Sequence, residues 1–247
     1  MKSHIPAPVL ERMARPAPRN MEVIEGSLPV TSFGNPFTAS VATVSLNPSW
    51  LEFLNRKGAW LEAPNHRLES LHTLKKNATN ELTDEDLVKA VDKCNNYFDG
   101  NPYKAWFNQL NVINKVFEAD YYTGSACHLD LVQWATRTVQ KNLGDKWKPL
   151  VEADKDFLAW QLKTTTAKTI LMNGTSTVNA LVNEALVPDL IETNFTYIKS
   201  NGHRGSWRVF HGRNDDQLFV GWSGVVAQGI PSAVREDFFN LLKSLTC

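Results

Sequence analysis

This sequence of 247 residues lacks charge imbalance, a disulfide pattern and long apolar runs, and each absence removes a class of protein. Its 26 basic and 26 acidic side chains cancel. No global field therefore marks it as a nucleic-acid binder, although a local basic face is compatible with that balance. The cysteines Cys94, Cys127 and Cys247 are odd in number and widely separated, which fits neither a disulfide framework nor a Cys-x-x-Cys metal site. Reduced thiols in a cytoplasmic protein are the expectation. No apolar stretch has the length of a membrane span, and the start, with Pro6, Pro8, Pro16 and Pro18, has no apolar core of signal-peptide length. A soluble protein that is not exported is expected, and the Asn-x-Thr triplets at Asn77, Asn173 and Asn194 then read as chance matches to a glycosylation pattern.

Cofactor signatures are missing too. No Gly-x-Gly-x-x-Gly follows a strand pattern and no Gly-x-x-x-x-Gly-Lys-Ser/Thr is present, so no nucleotide cofactor is expected. The six histidines, at positions 4, 66, 72, 128, 203 and 211, show no His-Glu-x-x-His spacing and no neighbouring Cys pair, so no metal site is expected either. Ser223 lies in Gly221-Trp222-Ser223-Gly224, but a nucleophile elbow needs its second Gly one residue later, and nothing nominates a base for a serine hydrolase.

What is present is an ordinary globular composition, 43% hydrophobic and 21% charged. Residues 1–20 read as a surface arm or a partly disordered segment, and residues 21–247 as one domain. Short strands are expected over Met21–Ile24 and Val30–Phe33, then an inner strand from Val41 to Leu46 and a helix from Trp50 to about Lys57 ending at Gly58. Thr83 followed by Asp84, Glu85 and Asp86 marks a helix start, with Leu87, Val91, Cys94 and Phe98 at helical spacing. Trp106, Leu110, Ile113 and Phe117 give a further stripe. Ala126–Val132 reads as another inner strand, followed by a helix from about Asp154 to Thr165, a strand over Lys168–Met172 and a helix after Gly174. Strands at Asn194–Lys199, Trp207–His211 and Gln217–Trp222 precede a helix over Ser232–Leu245. This alternation points to a three-layer α/β/α domain with a central, largely parallel sheet.

Two places in this frame carry chemistry. The first is Leu46-Asn47-Pro48-Ser49-Trp50-Leu51-Glu52, where a buried strand turns into a helix. Ser49 and Glu52 form a Ser-x-x-Glu capping box, and Asn47 falls at the carboxyl end of a strand, where open α/β sheets bind ligands. The plainer reading, an Asn-Pro turn that merely joins strand to helix, stands beside it. The second is His128-Leu129-Asp130, two polar residues inside an apolar strand, where buried charge is costly unless paired.

Ala42-Thr-Val-Ser-Leu46-Asn47-Pro48-Ser49 resembles the first active-site motif of the uracil-DNA glycosylase superfamily, whose members carry Gly-Gln-Asp-Pro-Tyr, Gly-Ile-Asn-Pro-Gly or Gly-Met-Asn-Pro-Gly there. The order of the remaining parts is similar. His128-Leu-Asp130 corresponds to the strand that ends in a base reader, Ile170-Leu-Met-Asn173-Gly174 to a strand running into Gly, and Gly221–Val226 to the loop that enters the minor groove. The resemblance implies a uracil-DNA-glycosylase-like fold and a monofunctional DNA glycosylase that flips a pyrimidine out of double-stranded DNA and hydrolyses its N-glycosidic bond without a cofactor. It assigns Asn47 as the residue that positions water. Ser49, His128 and Asp130 become base-binding, and Arg204, Arg208, Trp222, Ser223 and Val225 DNA-binding, with Trp207 as a second stacking candidate and Val226 as a second wedge.

Departures from the pattern refine that expectation. Ser45 stands where most members have Gly, Trp222 where uracil enzymes have a catalytic His, and Ser49 where they have a Tyr that blocks carbon five of the base, which implies a roomier pocket. Asp130 replaces an Asn. An ionised carboxylate only accepts hydrogen bonds, so it favours the amino edge of cytosine, although the same Asp is equally suited to holding His128 or an Arg. The narrower resemblance is to bacterial anti-phage glycosylases that excise glucosylated hydroxymethylcytosine, with His203, Arg204 and Arg208 facing sugar or phosphate. Two other classes remain open: a catalytically inert DNA- or partner-binding module on the same fold, and a small-molecule nucleoside N-ribosyl hydrolase.

Overall fold

The computed structural model describes residues 5–214, 216–226 and 229–246. In chain order the elements are α1 Ala7–Met13, β1 Val41–Ser45, α2 Leu71–Leu74, α3 Asp84–Asn95, α4 Lys104–Asn114, β2 Ala126–Asp130, α5 Trp147–Thr164, β3 Thr169–Asn173, α6 Thr175–Asn183, β4 Ile191–Ile198, β5 Arg204–Arg213, β6 Leu218–Trp222 and α7 Ser232–Ser244, with several single 3-10 turns between them. The chain packs as two compact units. The first holds the described residues up to Pro36 with Leu46–Tyr103 and His128–Thr165; the second holds Phe37–Ser45, Lys104–Cys127 and the chain from Thr166 onward.

The α/β class expected from the alternation is observed. One six-stranded sheet has the order β2-β1-β3-β6-β5-β4. β1 pairs with β3 and β3 with β6 in parallel, with Val41 opposite Thr169 and Thr169 opposite Leu218. β5 runs antiparallel to both β6 and β4. The reversal follows from the connections: only a few residues separate β4 from β5 and β5 from β6, and a parallel pair needs a crossover of a dozen or more. Strand β1 is buried along its whole length and its register partner β3 nearly so, as befits inner strands covered on both faces, whose sequences do not alternate apolar with exposed polar residues. Gly174 turns the chain out of β3 into α6 at φ +92°, and a Cβ there would meet Val225 Cγ2 at 3.3 Å, so this position is restricted by conformation and by space.

Within the first unit, α3 begins as its sequence signals. The Thr83 Oγ1 accepts from Asp86 N at 3.2 Å while Asp86 Oδ2 accepts from Thr83 N at 2.9 Å. That backbone bond, with the Thr83 hydroxyl and Lys76, pulls the Asp86 carboxyl down to about 2. The start of the chain differs from its expectation as an arm. Helix α1 buries Val9, Arg12 and Met13, and Arg12, 1% exposed, donates to Asp154 Oδ1 at 2.6 Å and to Gln133 Oε1 at 3.0 Å. Helix α5 starts at Trp147, earlier than the expected Asp154, whose buried carboxylate lies inside the helix and is held by this ion pair. The expected strands at Met21–Ile24 and Val30–Phe33 are single bridges, Val23 to Thr136 and Phe33 to His128. In α4 the buried aromatic is Phe107, and Trp106 is only half-buried. No helix among the described residues is long and apolar enough to cross a membrane.

Candidate functional site

Beyond β1 the chain lies against the segment that follows β2. The Leu46 carbonyl accepts from Val132 N at 2.9 Å, and Ser49 forms a parallel bridge with Thr136. Asn47 is locked between them. Its Nδ2 donates to Thr136 Oγ1 at 3.0 Å and to Pro48 O at 3.1 Å. The assignment of its amide is not arbitrary, because Thr136 spends its own proton on Thr138 O at 2.7 Å and can only accept from Asn47. Oδ1 is therefore turned away from these partners as an acceptor.

The helix expected over Trp50–Lys57 is instead one 3-10 turn, Trp50–Glu52, after which Leu54 bridges to Trp60. Ser49 Oγ accepts from Leu51 N at 3.2 Å, so it does cap the turn. The capping box fails because Glu52 points elsewhere: its side chain is 2% exposed and Oε2 accepts from the Tyr97 hydroxyl at 2.6 Å. Tyr97 Oη in turn accepts from Tyr103 N at 2.8 Å. Competition from a buried hydrogen bond overrides the local helix signal.

Glu52 sits among charged neighbours in the first unit. Burial raises its carboxyl to about 7; the Tyr97 hydrogen bond and the Arg67 charge oppose the rise, and the charge of Asp130 adds to it. Burial, with Glu52 beside it, also pushes the Tyr97 phenol well above its ordinary range, which keeps it a donor. Arg67 donates to Leu51 O, and its guanidinium lies 5.5 Å from the Tyr103 ring centre.

The two polar residues of β2 are 2% and 4% exposed, and His128 Nε2 stands 3.5 Å from Asp130 Oδ1. That distance is an ion-pair contact when His128 is protonated. Oδ1 is buried and makes no hydrogen bond. The main chain around them is well held. Phe33 and His128 exchange both backbone hydrogen bonds at 2.8 Å, and the Phe33 ring lies 5.6 Å from His128 and 4.7 Å from Tyr97. Gln133 Nε2 donates to Asp130 O at 2.8 Å while Gln133 N donates to Asp154 Oδ2 at 2.7 Å. Arg12 thus props the segment after Asp130 through Asp154 and Gln133. Burial lowers the Arg12 pKa and raises that of Asp154, each opposed by the charge of the other.

The residues assigned to DNA contact lie in the second unit and have diverse surroundings. Trp222 is wholly buried, its ring centre 6.0 Å from that of Phe238, and its Nε1 donates to Asn173 Oδ1 at 3.3 Å. It is a core residue with no face open to DNA, which corrects the expectation: the indole is enclosed against Phe238 and its N–H is taken up by Asn173. Trp207, the other stacking candidate, is 4% exposed and packs on Phe238 as well. Ser223 is half-buried and exchanges two 2.9 Å hydrogen bonds with the Arg208 backbone. The loop beyond it is tied down by Thr175 Oγ1 to Ser223 O at 2.9 Å and by Val226 N to Asn173 Oδ1 at 3.3 Å, with Val225 half-buried. Arg204 is exposed, and Arg208 lies 3.6 Å from Glu192 and over the Phe210 ring.

Asn47, Ser49, His128 and Asp130 thus share the first unit, where Glu52, Tyr97 and Thr136 join them. Sequence reasoning did not select these three as functional. The only signal was Glu52 itself, a carboxylate in an otherwise apolar turn, and it was explained by capping. No group of three or more His, Cys, Asp and Glu side chains among the described residues is arranged to hold a metal ion. Comparison with protein-family models and with curated proteins finds no match to this chain.

Proposed function

We propose that the protein is a monofunctional DNA N-glycosylase of uracil-DNA-glycosylase-like fold, a three-layer α/β/α domain acting in the cytoplasm on double-stranded DNA with modified bases. Its substrate is a flipped-out pyrimidine, a cytosine with a bulky group at carbon five of the kind found in phage DNA, and its product an abasic site. The observation that carries the reading is the fixed amide of Asn47: with both N–H groups committed to Thr136 and Pro48, only the carbonyl oxygen remains to hold a water. Cleavage of the N-glycosidic bond passes through an oxocarbenium-like sugar, which a weakly activated water attacks, so an oriented neutral amide is enough and a strong base is unnecessary.

Further support comes from the same unit. The segment after Asp130 is hydrogen-bonded to the Asn47 loop, and the buried Oδ1 of Asp130, which accepts no hydrogen bond although His128 stands 3.5 Å away, suits a base that brings its own donor. Ser49 is small where a Tyr would restrict carbon five. The second unit, taken by itself, offers Arg204 and Arg208, on β5, as cationic groups suited to phosphates. Incubation with duplex oligonucleotides carrying 5-hydroxymethylcytosine or its glucosylated form, followed by alkaline cleavage, tests the proposal. Strand scission by wild type, and none by a folded Asn47→Ala protein that still binds the duplex, is the expected result. A salt-sensitive DNA affinity with no abasic product would leave a binding module; release from free nucleosides alone would make it a nucleoside hydrolase.

A further inference from the structure

Strand β4 ends the sheet, with β5 as its neighbour in the ladder, and the register fixes which of its backbone groups point away from β5. Arg208 turns its N–H and its C=O toward Ser223, so the even-numbered residues of β5 face β6 and the odd-numbered ones face β4. Gly205, Trp207, Val209 and His211 stand opposite Tyr197, Phe195, Thr193 and Ile191. These four residues of β4 therefore bond inward, and the ladder continues in phase, since Lys199 N donates to His203 O at 2.8 Å. Glu192, Asn194, Thr196 and Ile198 turn their N–H and C=O groups outward. All four are exposed, and among the described residues no hydrogen bond reaches those outward groups. Free edges are usually blunted by Lys, Pro, a bulge or a short strand. This one is eight residues long, has no Pro or Lys and keeps an unbroken register with β5. Its two ends carry Ile191 and Ile198, 64% and 65% exposed.

We propose that β4 is a self-association edge, pairing antiparallel with β4 of a second copy of this chain about a two-fold axis at Phe195, so that one sheet runs through both copies. A row of alternating outward donors and acceptors is matched by another extended strand. Charge selects the second copy and its direction. Exposed Asp189 and Glu192 lie at the start of the strand and exposed Lys199 at its end. Antiparallel pairing sets the acidic start of each copy beside the basic end of the other, whereas parallel pairing would set like beside like. Centred on Phe195, Glu192 faces Ile198 of the second copy and Asn194 faces its Thr196, so every outward residue is used. Each such pair exchanges two bonds, which gives about eight across the axis. Lys199 then stands opposite Ile191 of the second copy, with Asp189 of that copy as its diagonal neighbour, within reach of a long side chain. Phe195 lies on the face covered by α7, because it is opposite Trp207, whose ring centre is 5.7 Å from that of Phe238. The strand pair is a small interface, so a dissociation constant on the order of 10–100 μM is expected.

Sedimentation equilibrium of the full chain, with hydrogen exchange read residue by residue, tests the proposal. Wild type should pass from monomer to dimer between about 5 and 500 μM. Over that range the amides of Glu192, Asn194, Thr196 and Ile198 should slow by at least about tenfold, while those of Thr193, Phe195 and Tyr197 stay protected throughout. Thr196→Pro removes an outward N–H and no bond to β5, and the residue before it is already extended, so the dilute chain should melt as wild type does. Two bonds between the copies are lost by symmetry, and dimerisation should weaken by at least about 30-fold. Charge reversal gives a second route that leaves the backbone alone. Lys199→Glu should weaken the dimer by at least about threefold, and adding Asp189→Lys to it should restore the wild-type constant. A chain still monomeric at about 500 μM, a dimer as tight in a folded Thr196→Pro protein as in wild type, a double charge reversal no tighter than the single one, or outward amides that exchange alike at both concentrations would each overturn the inference.

Discussion

Replacing Thr136 by Val tests whether the Asn47 amide is oriented by its neighbour. Valine keeps the branched shape and removes a hydroxyl that accepts from Asn47 Nδ2 at 3.0 Å and donates to Thr138 O at 2.7 Å. One N–H of Asn47 loses its partner, the other keeps only Pro48 O, and the amide gains freedom to rotate its oxygen out of position. A hydrogen bond of this kind is worth about 1 kcal/mol net, and a partner left unpaired costs about 1–3 kcal/mol. Asn47 is half-buried, so water offsets part of that loss and about 1–2 kcal/mol is expected. Felt in the transition state, this slows base release by roughly 5- to 30-fold. The same energy in the ground state lowers the melting temperature by about 2–8 °C for a chain of this size. Single-turnover release from a modified duplex, measured beside DNA affinity and a thermal melt, distinguishes the two. The expected pattern is a slower rate at unchanged DNA affinity, with Thr136→Ser restoring most of it because Ser keeps the acceptor. Wild-type rates in Thr136→Val, or a Ser variant as slow as Val, would refute the orienting role.

Trp222→Phe should lower the melting temperature by a few degrees through loss of the donor to Asn173 and leave DNA affinity within about twofold; a tenfold loss of affinity would return Trp222 to the DNA interface. Arg12→Met should destabilise the protein by about 3–5 kcal/mol, because it leaves Asp154 buried without its ion-pair partner; a melting temperature equal to wild type would mean that the start of the chain is the loose arm its composition suggests. Glu52, raised to about 7, binds more protons folded than unfolded between its ordinary value and 7, so its contribution falls as pH rises across that window and is constant above it, a loss of roughly 3 kcal/mol. Glu52→Gln should therefore melt higher than wild type at pH 8 and not at pH 4.5; equal melting differences at both pH values would contradict the buried, protonated carboxyl.

The elements that were legible in the sequence are those whose signals are local. Thr83 with the carboxylates after it marks the start of α3, Gly174 the turn into α6, and the short runs from Val41 and from Lys168 the inner strands, because each depends on neighbours within a few residues. The failures share a cause. Glu52 abandons its capping box for Tyr97, 45 residues away, and Arg12, in a segment that reads as an arm, is buried against Asp154, 142 residues away. Partners at such separations leave no periodicity to read. For the site, Asn47 and the pair His128 and Asp130 were visible as polar residues at strand ends, whereas Thr136, which sets the direction of the Asn47 amide, has no distinguishing pattern. Trp222 was misassigned because a large aromatic in a motif position reads as a contact surface, and only packing against Phe238 reveals it as core.

The most direct test of the central claim is mass spectrometry of the bases released from an equimolar mixture of duplexes containing uracil, cytosine, 5-hydroxymethylcytosine and glucosylated 5-hydroxymethylcytosine, with Asn47→Ala as the control. The account predicts release of a cytosine bearing a group at carbon five ahead of uracil, and no release by the folded Asn47→Ala protein. Fastest release of uracil, or release that persists in Asn47→Ala, would contradict it.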